Sequence, residues 1–224
     1  MIILIGSNKG GTGKTTTAVN LASYFGSKLD VLLCDSDNQQ SLVQWNALRE
    51  EGSLKPFDFV CLYGEIASDL IKYSEKYDLI IVDVAGRNSK EFLSVLSICD
   101  IFISPVQCTQ LDLNTLLHLN EQIEVFKGYN EKLIDRAYIL HNRATTNIFI
   151  QNTERKNIEE FIDELPNLKL LKTSISERKI FKDCISEGKG IFDYSEDEKP
   201  AKALAEYQSL INELTEEELS NEIA

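Results

Sequence analysis

Lys9 and Lys14 lie five positions apart in Gly6-Ser7-Asn8-Lys9-Gly10-Gly11-Thr12-Gly13-Lys14-Thr15-Thr16, a stretch made mostly of glycine and small hydroxyl residues. Glycines let a backbone turn tightly and bring its N–H groups against phosphate oxygens. A helix starting at Lys14 adds its positive N-terminal end to the same place. Lys14 is then set to bridge the β and γ phosphates of a nucleotide, and the Thr15 hydroxyl to ligate Mg²⁺. The spacing G-x-x-x-x-G-K-[ST] fails when counted from Gly6 and fits from Asn8, which stands where the first glycine would. Gly10, Gly11, Thr12, Gly13 and Thr16 complete the candidate phosphate loop.

Two acidic stretches offer the other half of the chemistry. One is Asp35-Ser36-Asp37-Asn38-Gln39-Gln40-Ser41; the other is Asp83-Val84-Ala85-Gly86-Arg87, after the apolar run Leu79–Val82. Carboxylates beside Mg²⁺ hold its coordinated waters or accept a proton from a nucleophile. Four apolar residues followed by Asp resemble a Walker B strand, with Asp83 holding the metal through water.

These residues need elements to position them. Apolar and β-branched runs predict strands at Ile2–Ile5, Val31–Asp35, Phe57–Leu62, Leu79–Val84, Ile101–Val106, Ala137–His141 and Leu168–Ser174. Amphipathic stretches predict helices near Lys14–Phe25, Gln40–Glu50, Ile66–Lys76, Ser89–Ile98, Leu111–Phe126, Thr153–Leu165, Glu177–Glu187 and Ala201–Glu218. Strands apolar on both faces and joined through helices indicate a doubly wound α/β fold, a mostly parallel sheet covered on both sides. Such sheets bind ligands at the carboxyl ends of their strands. The phosphate loop, Asp35–Asp37 and Asp83 all fall there.

The chain has 224 residues, 23 Lys+Arg against 36 Asp+Glu, and a net charge of -13. That length suits one domain over residues 1–224, and 43% apolar residues exclude disorder throughout. The longest apolar runs are too short to cross a bilayer, and Met1 leads straight into a strand without a basic leader, so a cytoplasmic protein with no membrane partner is expected. Cys34, Cys61, Cys99, Cys108 and Cys184 form no C-x-x-C pair and read as reduced, mostly buried thiols. His118 and His141 lack ligand spacing and read as packed or surface residues. Between Arg136 and Lys189 ten Lys/Arg meet eight Asp/Glu, which leaves a local basic face possible in an acidic chain.

Lys9-Gly10-Gly11-Thr12-Gly13-Lys14-Thr15-Thr16 closely resembles the deviant Walker A loop of the ParA/MinD superfamily of ATPases. The resemblance implies ATP and Mg²⁺ as cofactors and a homodimer that forms on ATP, with Lys9 reaching across to the partner's nucleotide. Two lysines in one loop would crowd a single triphosphate, whereas two facing loops neutralise two. It further implies that Asp37 orients the attacking water and that Asp35, with Thr15, Asp37 and Asp83, supports the metal shell. Gly86 would sense the γ phosphate, and Asn142 and Arg143, after the strand Ala137–His141, would contact adenine. Lys9, Lys14 and Asp37 become the catalytic candidates. Asn38 stands where relatives usually carry proline.

Further stretches look like the short ParF-like partition ATPases: Ser41-Leu42-Val43-Gln44-Trp45, Leu111-Asp112-Leu113, Ile175–Phe181 and Gly188-Lys189-Gly190-Ile191-Phe192-Asp193. Proteins of that kind bind double-stranded DNA without sequence preference, associate with the nucleoid, and answer to a small centromere-binding protein of the ParB or ParG kind. Arg155, Lys156, Lys169, Lys172, Arg178, Lys179 and Lys182 are the candidate DNA-facing cations, because phosphate contacts need no base readout. A positioning ATPase with a protein assembly as cargo would share the same loops and is the alternative. The acidic C-terminal stretch disfavours a relative that targets anionic membranes.

Overall fold

The computed structural model describes residues 1–7, 9–86, 89–195, 197 and 200–222, and for residues 110–112 and 216–222 the backbone alone. Asn8 and Arg87, and the side chains of Leu111 and Asp112, therefore lie outside the described residues. Seven strands form one parallel sheet: β1 (Ile2–Ile5), β2 (Val31–Ser36), β3 (Asp58–Cys61), β4 (Leu79–Val84), β5 (Ile101–Val106), β6 (Ala137–Ala144) and β7 (Lys169–Ser176). Their order across the sheet is β3-β2-β4-β1-β5-β6-β7, and every pairing is parallel.

Parallel pairing forces crossovers, and helices supply them. These are α1 (Lys14–Phe25), α2 (Ser41–Glu51), α3 (Ala67–Ser74), α4 (Lys90–Leu96), α5 (Gln110–Lys127), α6 (Ile148–Ile162), α7 (Lys179–Ser186) and α8 (Ala201–Glu222). Strand β1 is apolar at every position because both its faces are covered. Ile3 and Ile5 pack in the layer built by α1, α2, α7 and α8; Ile2 and Leu4 pack in the layer of α3 to α6. One buried residue of this size contributes roughly 1.5–3 kcal/mol relative to exposure. The doubly wound expectation holds.

The layer over α1 and α2 has its own lock. Trp45 is fully buried, and its indole N–H donates to the Lys189 carbonyl at 3.1 Å. The Arg49 guanidinium stacks 4.8 Å from the Trp45 and Phe57 rings and bonds Asp193 at 2.6 Å. Gly188 holds φ +64 against the Arg49 backbone, where a Cβ would collide with main-chain atoms. The Gly188–Asp193 stretch thus fixes α2 to the rest of the fold.

At the other end of the sheet, β7 would leave a row of open N–H groups. Helix α8 closes it with two glutamates on one face. Glu213 accepts from Lys172 N at 2.5 Å and Thr173 N at 3.0 Å; Glu206 accepts from Ser176 N at 3.1 Å.

Most boundaries shift by a few residues from expectation, and those of α6, β6 and β7 bear on the site. Helix α6 starts at Ile148 rather than Thr153, because the Asn147 side chain accepts from the N–H groups of Phe149 and Ile150 and caps it. Ile148, Phe149 and Ile150 are all exposed, so no apolar periodicity marks that first turn. Strand β6 runs on through Asn142 and Arg143 to Ala144, and β7 ends at Ser176 rather than Ser174. The two extensions pair with each other across register shifts.

None of the five cysteines forms a disulfide; Cys34, Cys99 and Cys184 are buried. Burial pushes the Cys34 thiol up to about 12 and the Cys184 thiol up to about 11. They pack as inert small apolar groups. No described helix is long and apolar enough to cross a membrane.

Candidate nucleotide-binding site

Parallel register brings the chemistry together. Ile5, the last residue of β1, lies beside Asp83 of β4, and Asp83 lies beside Asp35 of β2. The loop after β1 therefore opens directly over Asp83. Gly13 takes φ +98 as the N-cap of α1, a conformation that L side chains avoid, and its missing Cβ leaves room for the Asn142 amide. The Ser7 and Thr12 hydroxyls stand 2.7 Å apart and brace the loop from within. Thr17 bonds the Gly13 carbonyl through its hydroxyl and its N–H, both at 2.9 Å.

A cavity of about 690 Å³ opens on this loop. Its walls include Gly10, Gly11, Gly13, Lys14, Thr15 and Thr16, with Asp37 and Gly86 from the two acidic segments. Lys14, only 9% exposed, presents its cation at the start of α1. Among the described residues that line the cavity Lys9 is absent; it is half-buried.

The metal candidates separate into two groups. The Thr15 hydroxyl donates to Asp83 Oδ2 at 2.6 Å, while Asp83 Oδ1 is buried and has no hydrogen-bond partner. Burial pushes the Asp83 carboxyl up to about 7, against the pull of the Thr15 hydroxyl and the Lys14 ammonium. A buried orphan oxygen beside a hydroxyl, at the foot of a phosphate loop, fits a Mg²⁺ ion held through water. Asp35 is placed differently. Its carboxylate accepts from the backbone N–H groups of Asp37 at 3.0 Å, Leu42 at 2.9 Å and Val43 at 3.3 Å. These bonds hold the β2–α2 segment and the start of α2 against the end of β2. Asp37 is half-buried at the cavity wall, and its Oδ1 accepts from Gln39 N at 2.9 Å.

Asn142 and Arg143, expected beyond the strand as adenine contacts, belong to β6 and turn onto the phosphate loop. Asn142 Nδ2 donates to the Thr12 carbonyl at 2.6 Å, and Arg143 Nη1 donates to the Gly11 carbonyl at 2.9 Å. The far wall was not anticipated. Ser176, Glu177, Phe181 and Ile185 line it, with Arg178 and Lys182. The strand-end rule points to Ser176 and Glu177 once β7 is known to reach Ser176. Phe181 and Ile185, four apart on α7, give this wall an apolar surface.

The seven candidate DNA-facing cations differ in exposure and in their partners within the chain. Arg155 is tucked between Glu159 at 2.8 Å and the Leu171 carbonyl at 3.0 Å, and Arg178 pairs with Glu206 at 2.6 Å. Both are occupied within the chain. Lys169 pairs with Asp135 at the amino end of β7, away from the cavity, and Lys172 is exposed on the same edge strand. Lys156, Lys179 and Lys182 are well exposed and make only long contacts with Glu160, Asp183 and Glu177. His141 is buried, with its Nδ1 3.1 Å from Ser174 Oγ, and the described residues contain no cluster fit to ligate a metal through His or Cys.

Comparison with known proteins agrees with this geometry. The chain is 30% identical over 134 residues to maintenance of carboxysome distribution protein A from Gloeobacter kilaueensis, covering 59% of this chain and 61% of that one. To the protein of the same name from Halothiobacillus neapolitanus it is 24% identical across 95% of both chains. Among solved structures, a putative plasmid partition protein from Borrelia burgdorferi bound to AMPPNP superposes with a TM-score of 0.69, at 21% identity, over 96% of this chain and 98% of that one. The profile of the CobQ/CobB/MinD/ParA nucleotide binding domain matches residues 3–191, and the chain belongs to that family of ParA/MinD nucleotide-binding ATPases.

Proposed function

We propose that this chain hydrolyses ATP with Mg²⁺ and uses the bound nucleotide to switch between a monomer and a homodimer that positions an intracellular cargo. The observation that carries this reading is the buried, partnerless Asp83 Oδ1 beside the Thr15 hydroxyl under the phosphate loop. When bound, Mg²⁺ supplies charge neutralisation on phosphate oxygens. Lys14 and the loop N–H groups hold the β and γ phosphates. Asp37, at the cavity wall, orients a water for in-line attack and accepts its proton. Gly86, on the same wall, offers a backbone contact to the γ phosphate. Lys9 stands outside the cavity wall, which suits a charge delivered to the partner's nucleotide.

The first cargo reading is plasmid or chromosomal DNA, with non-specific duplex binding on the dimer, nucleoid association, and a small ParB/ParG-like protein that stimulates hydrolysis. Lys156, Lys179 and Lys182 are the exposed cations left to serve it, and Lys172 adds to them from the edge strand. The likeness to a plasmid partition protein supports this reading. The second reading is a protein assembly as cargo. It is favoured by the match along 95% of a carboxysome distribution protein and by the pairing of Arg155, Lys169 and Arg178 within the chain. Binding to random-sequence duplex DNA with ATP, ADP or no nucleotide across a salt series separates the two. ATP-only binding that collapses with salt supports the first; no binding in any state, with ATP hydrolysis intact, supports the second.

A further inference from the structure

Glu206 and Glu213 lie about two turns apart on one face of α8, and both bond β7 or the residues just beyond it. Their partners differ in kind. Glu213 takes the N–H groups of Lys172 and Thr173, neither of which lines the cavity. Glu206 takes Ser176 and Arg178, and both of these line it.

Both oxygens of Glu206 are used. Oε2 accepts from Ser176 N at 3.1 Å and Arg178 Nε at 3.4 Å. Oε1 accepts from the Ser176 hydroxyl at 2.8 Å and Arg178 Nη2 at 2.6 Å. The guanidinium therefore meets the carboxylate as a fork, a fixed geometry that lysine cannot offer. The two side chains are only 19% and 23% exposed, so water screens this pair less than it would a surface bridge. Ser176 is buried, and its hydroxyl also accepts from Gln151 Nε2 at 3.2 Å.

Arg178 is the N-cap residue of α7, so the fork ties the start of α7 to α8. Phe181 and Ile185, the apolar part of the cavity's far wall, follow on the same helix. With the phosphates on their loop, the rest of a nucleotide must fill the remaining cavity, and the β7–α7 wall bounds it. One carboxylate on the C-terminal helix thus sets where that wall stands.

We propose that Glu206 is a positioning residue for the nucleotide, through which the C-terminal helix holds the β7–α7 wall of the cavity. This rests on the ATPase reading of the same site. Its effect falls on the nucleoside half of the ligand, because Glu206 holds Ser176 and Arg178 and not the phosphate loop. Coupling of this kind is reciprocal: where α8 steadies the wall, a bound nucleotide steadies α8.

The test measures displacement of a fluorescent ADP analogue by Mg-ATP and Mg-tripolyphosphate, using the parent, Glu206→Ala, Glu206→Gln and Glu213→Gln. Loss of a charge-assisted contact predicts that Glu206→Ala weakens Mg-ATP about tenfold and leaves tripolyphosphate within about twofold of the parent. Glu206→Gln keeps an oxygen for Ser176 but loses the charge facing Arg178. It should show a smaller loss of the same pattern, and it carries the test if Glu206→Ala fails to fold. Glu213→Gln should bind both ligands as the parent does. Hydrogen exchange reads the reverse direction. Mg-ADP should slow amide exchange over residues 201–215 in the parent and in Glu213→Gln, and much less in Glu206→Ala. ATP and tripolyphosphate weakened alike in the Glu206 variants would mean a general loss of structure and overturn the proposal. Parent-like ATP affinity in those variants would overturn it, as would exchange in α8 that ignores Mg-ADP in the parent. A parent that binds neither ATP nor tripolyphosphate would remove the ATPase reading itself, and the proposal with it.

Discussion

Thr15 and Asp83, 68 residues apart in sequence, meet through a 2.6 Å hydrogen bond that leaves the second oxygen of Asp83 buried without a partner. A fold rarely keeps a carboxylate in that state for stability, since an isolated buried charge is costly. On the proposed function, this oxygen is the one that would hold Mg²⁺ through water.

Replacing Asp83 with Asn keeps the shape and a partner for Thr15 while removing the buried charge. The nucleotide-free variant should unfold at a higher temperature than the parent, by about 1–2 kcal/mol or a few degrees. It should also lose the stabilisation that Mg-ATP gives the parent. Thermal unfolding with and without Mg-ATP checks both halves. A variant less stable than the parent, yet still stabilised by Mg-ATP, would contradict the assignment.

Asp37 sits at the cavity wall, where its Oδ1 accepts from Gln39 N. Asp37→Ala should leave ATP binding near the parent level and lower turnover by about 10²–10⁴-fold, the scale of a lost general base. Phosphate release under saturating Mg-ATP reads it. Equal rates for variant and parent would strip Asp37 of its role.

Glu213 satisfies two N–H groups and the Thr173 hydroxyl on the open edge of β7. Glu213→Ala should destabilise the protein by about 1–3 kcal/mol and promote self-association through the uncovered edge. Urea unfolding and light scattering measure these effects, and Glu213→Gln should fall between the two. A parent-like midpoint in Glu213→Ala would show that the edge needs no cover.

How much of this was legible in the sequence depends on which residue is asked about. Ile2–Ile5, Leu79–Val84 and Ile101–Val106 are apolar on both faces and bounded by polar residues, so their limits were readable to the residue. Lys14, Thr15 and Asp83 followed from spacing, because a phosphate loop constrains its own neighbours. Asn142 and Arg143 were named, but their bonds to the Thr12 and Gly11 carbonyls were not foreseen. Their direction depends on a positive φ at Arg143 and a register shift, and neither leaves a trace in residue type. Asp35 was named for the metal shell, and its further bonds to the N–H groups of Leu42 and Val43 depend on where α2 begins, a tertiary fact. Phe181 and Ile185 escaped notice because an apolar pair on a helix looks the same whether it faces a core or a cavity.

The central claim is a nucleotide-gated change of assembly, and the most direct test is the mass of the protein in solution with Mg-ATP, Mg-ADP or no nucleotide. Sedimentation of the Asp37→Ala protein, which should retain its ATP, reads it without interference from turnover. The account predicts 25.3 kDa without nucleotide and with ADP, and twice that mass with ATP. The dimer should vanish on adding Lys9→Ala while ATP binding persists, and Lys14→Ala should abolish both. One mass in all three states, with ATP bound, would contradict the account.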